Sequence, residues 1–231
     1  MKKIMKSKGF TLVEILVVVS IIGILAAILV PVVARSKTKA KIAMAKVQMN
    51  DLAAAIKSYK SDYQRYPLPS FVSQSGPVPQ VNAGKDASFG FGNPNYFGAH
   101  NQNRMVVEIL RDRNHPRNLK KNVYLDVKES GESSSVRQPG ISSDGYYLDP
   151  FGNAYNISVD KNADGYCVDG VYAKLPSGSD VGMVSVPGFP AGVQGVKGSD
   201  VLIWTDGPDL KASASQGSID GDNADNILSW K

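Results

Sequence analysis

Lys8-Gly9-Phe10-Thr11-Leu12-Val13-Glu14 decides how the rest of the chain is read. The apolar run from Phe10 to Ala34 covers 25 residues, and its only charge is Glu14. As a helix such a run is about 37 Å long, enough to cross a hydrocarbon core of roughly 30 Å. An ionised side chain in a membrane span costs roughly 2.5–3.5 kcal/mol even on lenient insertion scales, so Glu14 requires a functional partner. Ahead of the run stands a leader holding Lys2, Lys3, Lys6 and Lys8. A secretory signal peptide fits the charged leader. It does not fit the length of the apolar run, which no small-residue cleavage site closes. A single-pass anchor is the ordinary reading. Charge leaves its orientation open, because Arg35, Lys37, Lys39 and Lys41 balance the four leader lysines.

The chain has 231 residues, a net charge of +5 and a single cysteine, Cys167. No intramolecular disulfide is possible. Charge is unevenly spread. Residues 35–65 carry a net of +6, whereas residues 142–231 carry five lysines against twelve aspartates. That split argues against a nucleic-acid footprint spread over the fold.

Beyond the span, Ile42, Ala45, Met49, Leu52, Ile56, Tyr59 and Tyr63 recur at alternating spacings of three and four. This spacing predicts an amphipathic continuation of one helix, from Phe10 to about Arg65, stopped by Tyr66-Pro67. Pro31 inside the span predicts an opened backbone near residues 27–31. Residues 67–103 read as loop, Arg104–Arg113 as a short helix, and Val123–Val127 as a brief strand. Further strands are expected at Tyr146–Leu148, Ala154–Val159, Gly165–Val168, Val171–Lys174 and Val201–Trp204. The fold class is α+β. A leader (1–9) precedes a membrane helix (10–34) and its amphipathic continuation (35–66). A loop-rich insertion (67–141) then leads to an antiparallel sheet with a C-terminal loop (142–231).

The opening motif and the run to Arg35, Pro31 included, resemble the class III signal of type IV pilins and type II secretion pseudopilins. The resemblance implies cleavage between Gly9 and Phe10 by a prepilin peptidase that also methylates the new N-terminus of Phe10. A cytoplasmic leader, a periplasmic head and self-assembly into a helical filament follow from it. Glu14 is then expected to pair with the Phe10 α-amino group of a neighbouring subunit. Gly145-Tyr146-Tyr147-Leu148-Asp149-Pro150-Phe151-Gly152-Asn153-Ala154-Tyr155, Thr205–Asp209 and Asp225–Trp230 resemble segments of the major type II secretion pseudopilin. That likeness implies a pseudopilus subunit working with an inner-membrane assembly platform and minor pseudopilins. It also implies a Ca²⁺ clip in the tail, with Asp209, Asp225 and Asn226 as side-chain ligands and Asp206 where the family offers a main-chain carbonyl. Asp222 and Asp220 are further candidates.

Asp160-Lys161-Asn162-Ala163-Asp164-Gly165 matches the first half of an EF-hand loop, but Val171 stands where the bidentate Glu belongs. A hairpin turn is the better reading of that stretch. Nothing in the sequence points to an enzyme. The alternatives are a type IV pilin and a membrane-anchored ligand-binding protein.

Overall fold

The computed structural model describes residues 10–69, 86–90, 102–131, 138–175, 178–189, 191–213 and 216–231. The leader with Gly9 and most of the 67–103 loop region lie outside the described residues. The chain divides into two compact units, Met1–Ala40 and Lys41–Lys231.

Helix α1 (Leu12–Tyr63) is 52 residues long and passes through that division. In the first unit, its large apolar side chains from Leu12 to Val33 are exposed. By length and composition this helix can cross a membrane. Pro31 lies within it without interrupting it, so the backbone opening expected near residues 27–31 does not end the helix. One lost bond is carried by the intact turns on either side.

In the second unit, Ala45, Met49, Leu52, Ile56 and Tyr59 are buried, and Ile42 and Tyr63 pack at the two ends of their stripe. Burying side chains of the size of Leu52 and Ile56 contributes roughly 1.5–3 kcal/mol each, so the stripe is held by tertiary packing rather than by helix propensity.

The stripe meets one face of a four-stranded antiparallel sheet. Its strands are β1 (Ala87–Phe89), β4 (Asn156–Val159), β8 (Val201–Thr205) and β9 (Ile227–Leu228), in that spatial order. Register places Phe89 opposite Ile157 and Ile157 opposite Ile203, and all three face α1. Helix α2 (Asn103–Arg111) closes the same core with Val106, Val107, Ile109 and Leu110. A second apolar cluster covers the opposite face with Leu202, Trp204 and Leu228, joined by Cys167, Tyr172 and Met183. The central strands are thus buried on both faces, which is why β8 reads as an unbroken apolar run rather than an alternating one. Two smaller sheets flank this one. Strand β2 (Gly140–Ile141) pairs with β3 (Tyr147–Leu148), and β7 (Gln194–Lys197) lies between β5 (Tyr166–Cys167) and β6 (Val184–Ser185).

Two expected strands are not strands. Val171–Lys174 contains a 3₁₀ turn, Tyr172–Lys174, because the buried Asp169 carboxylate accepts from the backbone N–H groups of Val171 and Tyr172, both at 2.9 Å. A side chain that caps two successive amides curls the chain and removes them from any ladder. Val123–Val127 pairs with no strand among the described residues. Tyr124 and Leu125 both donate to the Leu110 carbonyl at the end of α2 instead. The Asp160–Gly165 turn is a connector and not a hairpin, since β4 pairs with β1 and β8 while β5 pairs with β7.

Candidate functional site

At the N-terminal end, three hydrogen bonds tie Glu14 to Thr11. The Thr11 backbone N–H and hydroxyl donate to Glu14 Oε2 at 2.8 and 2.7 Å, and the Glu14 N–H donates to Thr11 Oγ1 at 3.2 Å. This is a reciprocal capping box, with Thr11 as N-cap and Glu14 as the third helical residue. The carboxylate sits in the first turn, at the positive end of the helix dipole, where a negative charge is favoured. Thr11 is marked in the sequence by the T-x-x-E spacing ahead of an apolar run, and its role as the cap of α1 emerges from the structure. Phe10, the residue just before, is 75% exposed. Among the described residues, then, the hydrogen bonds to the Glu14 carboxylate fall on one oxygen, Oε2.

The C-terminal end is organised by Asp149. Its carboxylate accepts from the N–H groups of Phe151 and Asn153, each at 2.8 Å, and from the Thr205 hydroxyl. Gly152, at φ +96°, completes this turn in a conformation that other residues rarely adopt. Asn153 Nδ2 donates to Gly207 O at 3.0 Å, and Asn156 Nδ2 reaches Asp206 Oδ1 at 3.4 Å. The stretches 145–155 and 205–209, far apart in sequence, are thereby bolted together.

Strand β9 lies on β8 with Thr205 opposite Ile227, so the next step of the register sets Asp206 against Asn226. Asp209 N donates to Asp225 Oδ2 at 3.0 Å and closes the corner. A Cβ at Gly207, φ +73°, would run into the Asp225 carbonyl, so the two main chains touch here. Asp222 turns to Gln216 instead, its N–H donating to Gln216 Oε1 at 2.6 Å. Burial, followed by the nearby Asp149 charge, pushes the Asp206 carboxyl up to about 6.

The Asn226 amide lies between the Tyr172 hydroxyl at 2.7 Å and two main-chain carbonyls, Asp206 O at 3.0 Å and Lys211 O at 3.2 Å. Assigned from those neighbours, its oxygen accepts from Tyr172 and its nitrogen donates to both carbonyls. Among the described residues, no three Asp, Glu, His or Cys side chains are grouped to hold a metal ion. What this corner offers a cation is two carboxylates, Asp209 and Asp225, beside neutral oxygens. Those neutral donors are the Asp206 and Lys211 carbonyls and, with the amide turned over, Asn226 Oδ1. Oxygen donors of this kind are those that Ca²⁺ takes.

Residues 4–30 match the family described as the prokaryotic N-terminal methylation motif. The chain is 48% identical over 62 residues to the type II secretion system core protein G of Pseudomonas aeruginosa, covering 27% of this chain and 44% of that protein. With the protein of the same name from Vibrio cholerae it shares 45% identity over 67 residues, 29% of this chain and 46% of the relative. The type IV major pilin protein PilA of Myxococcus xanthus is 39% identical over 75 residues, 32% of this chain and 33% of that protein. Each match spans less than half of the relative's own length. No solved structure matches the chain. The N-terminal methylation motif and these partial identities make this chain similar to type II secretion core protein G, with a type IV major pilin beside it.

Proposed function

We propose that this protein is a structural, non-enzymatic subunit of a type II secretion pseudopilus. One observation carries the reading. The apolar side chains of α1 from Leu12 to Val33 are exposed, and most of this segment lies within the methylation motif matched over residues 4–30. A helix hydrophobic all round needs lipid or other copies of itself. In this reading the leader stays in the cytoplasm and the prepilin peptidase cuts between Gly9 and Phe10 and methylates Phe10. The head then lies in the periplasm. Subunits leave the inner membrane through the assembly platform and stack by their N-terminal helices, with minor pseudopilins at the tip.

Deleting the gene is expected to trap folded exoproteins in the periplasm, measured as at least a tenfold fall in extracellular activity. Re-expression should restore secretion. Normal secretion with lost surface fibres would instead favour the second reading, a type IV pilin, for which the identity to the Myxococcus xanthus pilin speaks.

Within the same reading, Ca²⁺ clips the tail through Asp209 and Asp225, with the Asp206 and Lys211 carbonyls and Asn226 completing its shell. The ion would hold the segment after β8 against β9, as a disulfide would elsewhere. Asp225→Asn is expected to remove one equivalent of Ca²⁺ binding from full-length protein in detergent micelles, read by titration calorimetry. Unchanged stoichiometry in that variant would refute the clip.

A further inference from the structure

We propose that the turn at residues 160–166 and the Asp86 side chain together form a second divalent-cation site, of the calcium class, separate from the tail. The turn carries oxygen-bearing side chains at the first, third and fifth positions of a calcium-binding loop: Asp160, Asn162 and Asp164. The obligatory glycine of the sixth position is Gly165, at φ +83°. Its N–H donates to Asp160 Oδ2 at 3.0 Å, and the Tyr166 N–H donates to Asp164 Oδ1 at 2.9 Å. Those bonds show how the loop is folded. By themselves they do not show that it holds an ion.

Two buried carboxylate oxygens supply the independent observation. Asp86 is 5% exposed and Asp160 3% exposed. In each, Oδ1 has no hydrogen-bond partner among the described residues. Strand β1 pairs with β4 so that Ala87 lies opposite Val159, and one further step sets Asp86 directly opposite Asp160. Like charges facing each other across an antiparallel pair destabilise the sheet, and buried charges without a counter-charge cost far more than exposed ones. No ion pair to either residue exists among the described residues. The lysines at that end of the sheet, Lys57 and Lys60, engage Asp200, whose backbone carbonyl accepts from Asp160 N–H.

Sequence alone sets this loop aside because Val171 stands at its twelfth position. Tertiary structure supplies the missing carboxylate from another strand. Asp86 Oδ2 accepts from the N–H of Val168, the ninth loop residue, at 2.8 Å, which anchors this side chain against the loop and leaves Oδ1 over. The ion would take two carboxylate oxygens, Asp86 Oδ1 and Asp160 Oδ1, with the Asn162 side-chain oxygen, the main-chain carbonyl of Tyr166, and water, while Asp164 goes on accepting from Asn162 Nδ2 at 2.7 Å and from the Tyr166 N–H at 2.9 Å. All of these are hard oxygen donors, six or more in number, which is what Ca²⁺ requires and what a thiolate- or imidazole-seeking metal does not. Partial carboxylate supply places the affinity with extracellular modules, at a Kd of roughly 0.1–1 mM.

The test is calcium titration of the full-length protein in detergent micelles, by calorimetry and by the Ca²⁺-induced rise in Tm. It compares the unaltered chain with Asp86→Asn, Asp160→Asn and Asp225→Asn. An asparagine oxygen still accepts from Val168 N–H or Gly165 N–H, so both turn variants are expected to fold. Without Ca²⁺, Asp86→Asn should melt no lower than the unaltered chain, because it removes one of two facing charges. Asp86→Asn and Asp160→Asn should each weaken one class of sites at least tenfold, whereas Asp225→Asn leaves that class intact. The proposal is overturned if the unaltered chain binds no Ca²⁺ at 5 mM metal, if both turn variants bind like the unaltered chain, or if Asp225→Asn alone abolishes all binding. Because the tail clip is probed by a different variant, the two sites fail independently.

Discussion

Protein carrying Glu14→Ala is expected to insert into the membrane and to be cut between Gly9 and Phe10, yet to form no filaments. In the proposed reading cleavage would expose an ammonium group on Phe10, and two unit charges about 4 Å apart attract by roughly 4 kcal/mol at the effective dielectric of a protein surface. Repeated at every subunit contact, a loss of even a third of that lowers each association step about tenfold. The alanine also removes the Thr11–Glu14 capping box, which costs about 1 kcal/mol of helix stability. Glu14→Gln separates the two effects, since a glutamine oxygen can still accept from Thr11 while carrying no charge. Sheared filaments seen by electron microscopy, with immunoblots for leader removal, give the readout. Both variants should be processed, and both should lose at least nine-tenths of their filaments. If the glutamine variant assembles normally, the helix cap and not the charge is what assembly needs, and intermolecular pairing is lost as an explanation.

Asp169→Ala carries the largest effect expected in the head. The Asp169 side chain is fully buried, and four donors converge on it: Ser158 Oγ at 2.7 Å and the Trp204 indole N–H, Val171 N–H and Tyr172 N–H at 2.9 Å. Truncation leaves the Trp204, Val171 and Tyr172 N–H groups without an acceptor, at about 1–3 kcal/mol for each donor that water does not reach, whereas the Ser158 hydroxyl can turn to Ser88 Oγ at 2.8 Å. A total loss of roughly 4 kcal/mol, or about 8–16 °C in Tm for a unit of this size, is the expected outcome. Thermal unfolding followed by near-ultraviolet circular dichroism reports it directly, because Trp204 packs edge-on against Tyr172 with ring centroids 5.1 Å apart. A shift under 3 °C would mean that water or a repacked neighbour satisfies those donors. Ser158→Ala removes one of those donors and, with it, the acceptor of the Ser88 hydroxyl 2.8 Å away, but leaves Asp169 its three other donors, so it should cost less.

Much of this was legible in the sequence because it depends on near neighbours. The all-round apolar run to Ala34 marks a membrane-length helix by its length, and the 3–4 spacing from Ile42 to Tyr63 names the face that packs on the sheet. The Asp149–Asn153 turn was equally readable, since its carboxylate caps amides only two and four residues ahead. Short strands were not readable. Residues such as Ala87–Phe89 and Ile227–Leu228 carry too few positions to show a period, and they become strands only because β4 and β8 present open edges to them.

Glu14 marks the boundary most clearly. By itself the sequence determined that a carboxylate lies at the head of a membrane-length helix, because composition and spacing are local properties. Only the tertiary structure decided which distant groups meet. Strand register set Asp86 against Asp160 and Asp206 against Asn226, and Asp169 drew a chain expected to extend into a 3₁₀ turn. Those outcomes rest on pairings across tens of residues. The energies of such pairings arise only once the chain has closed on itself, so no single stretch of sequence contains them.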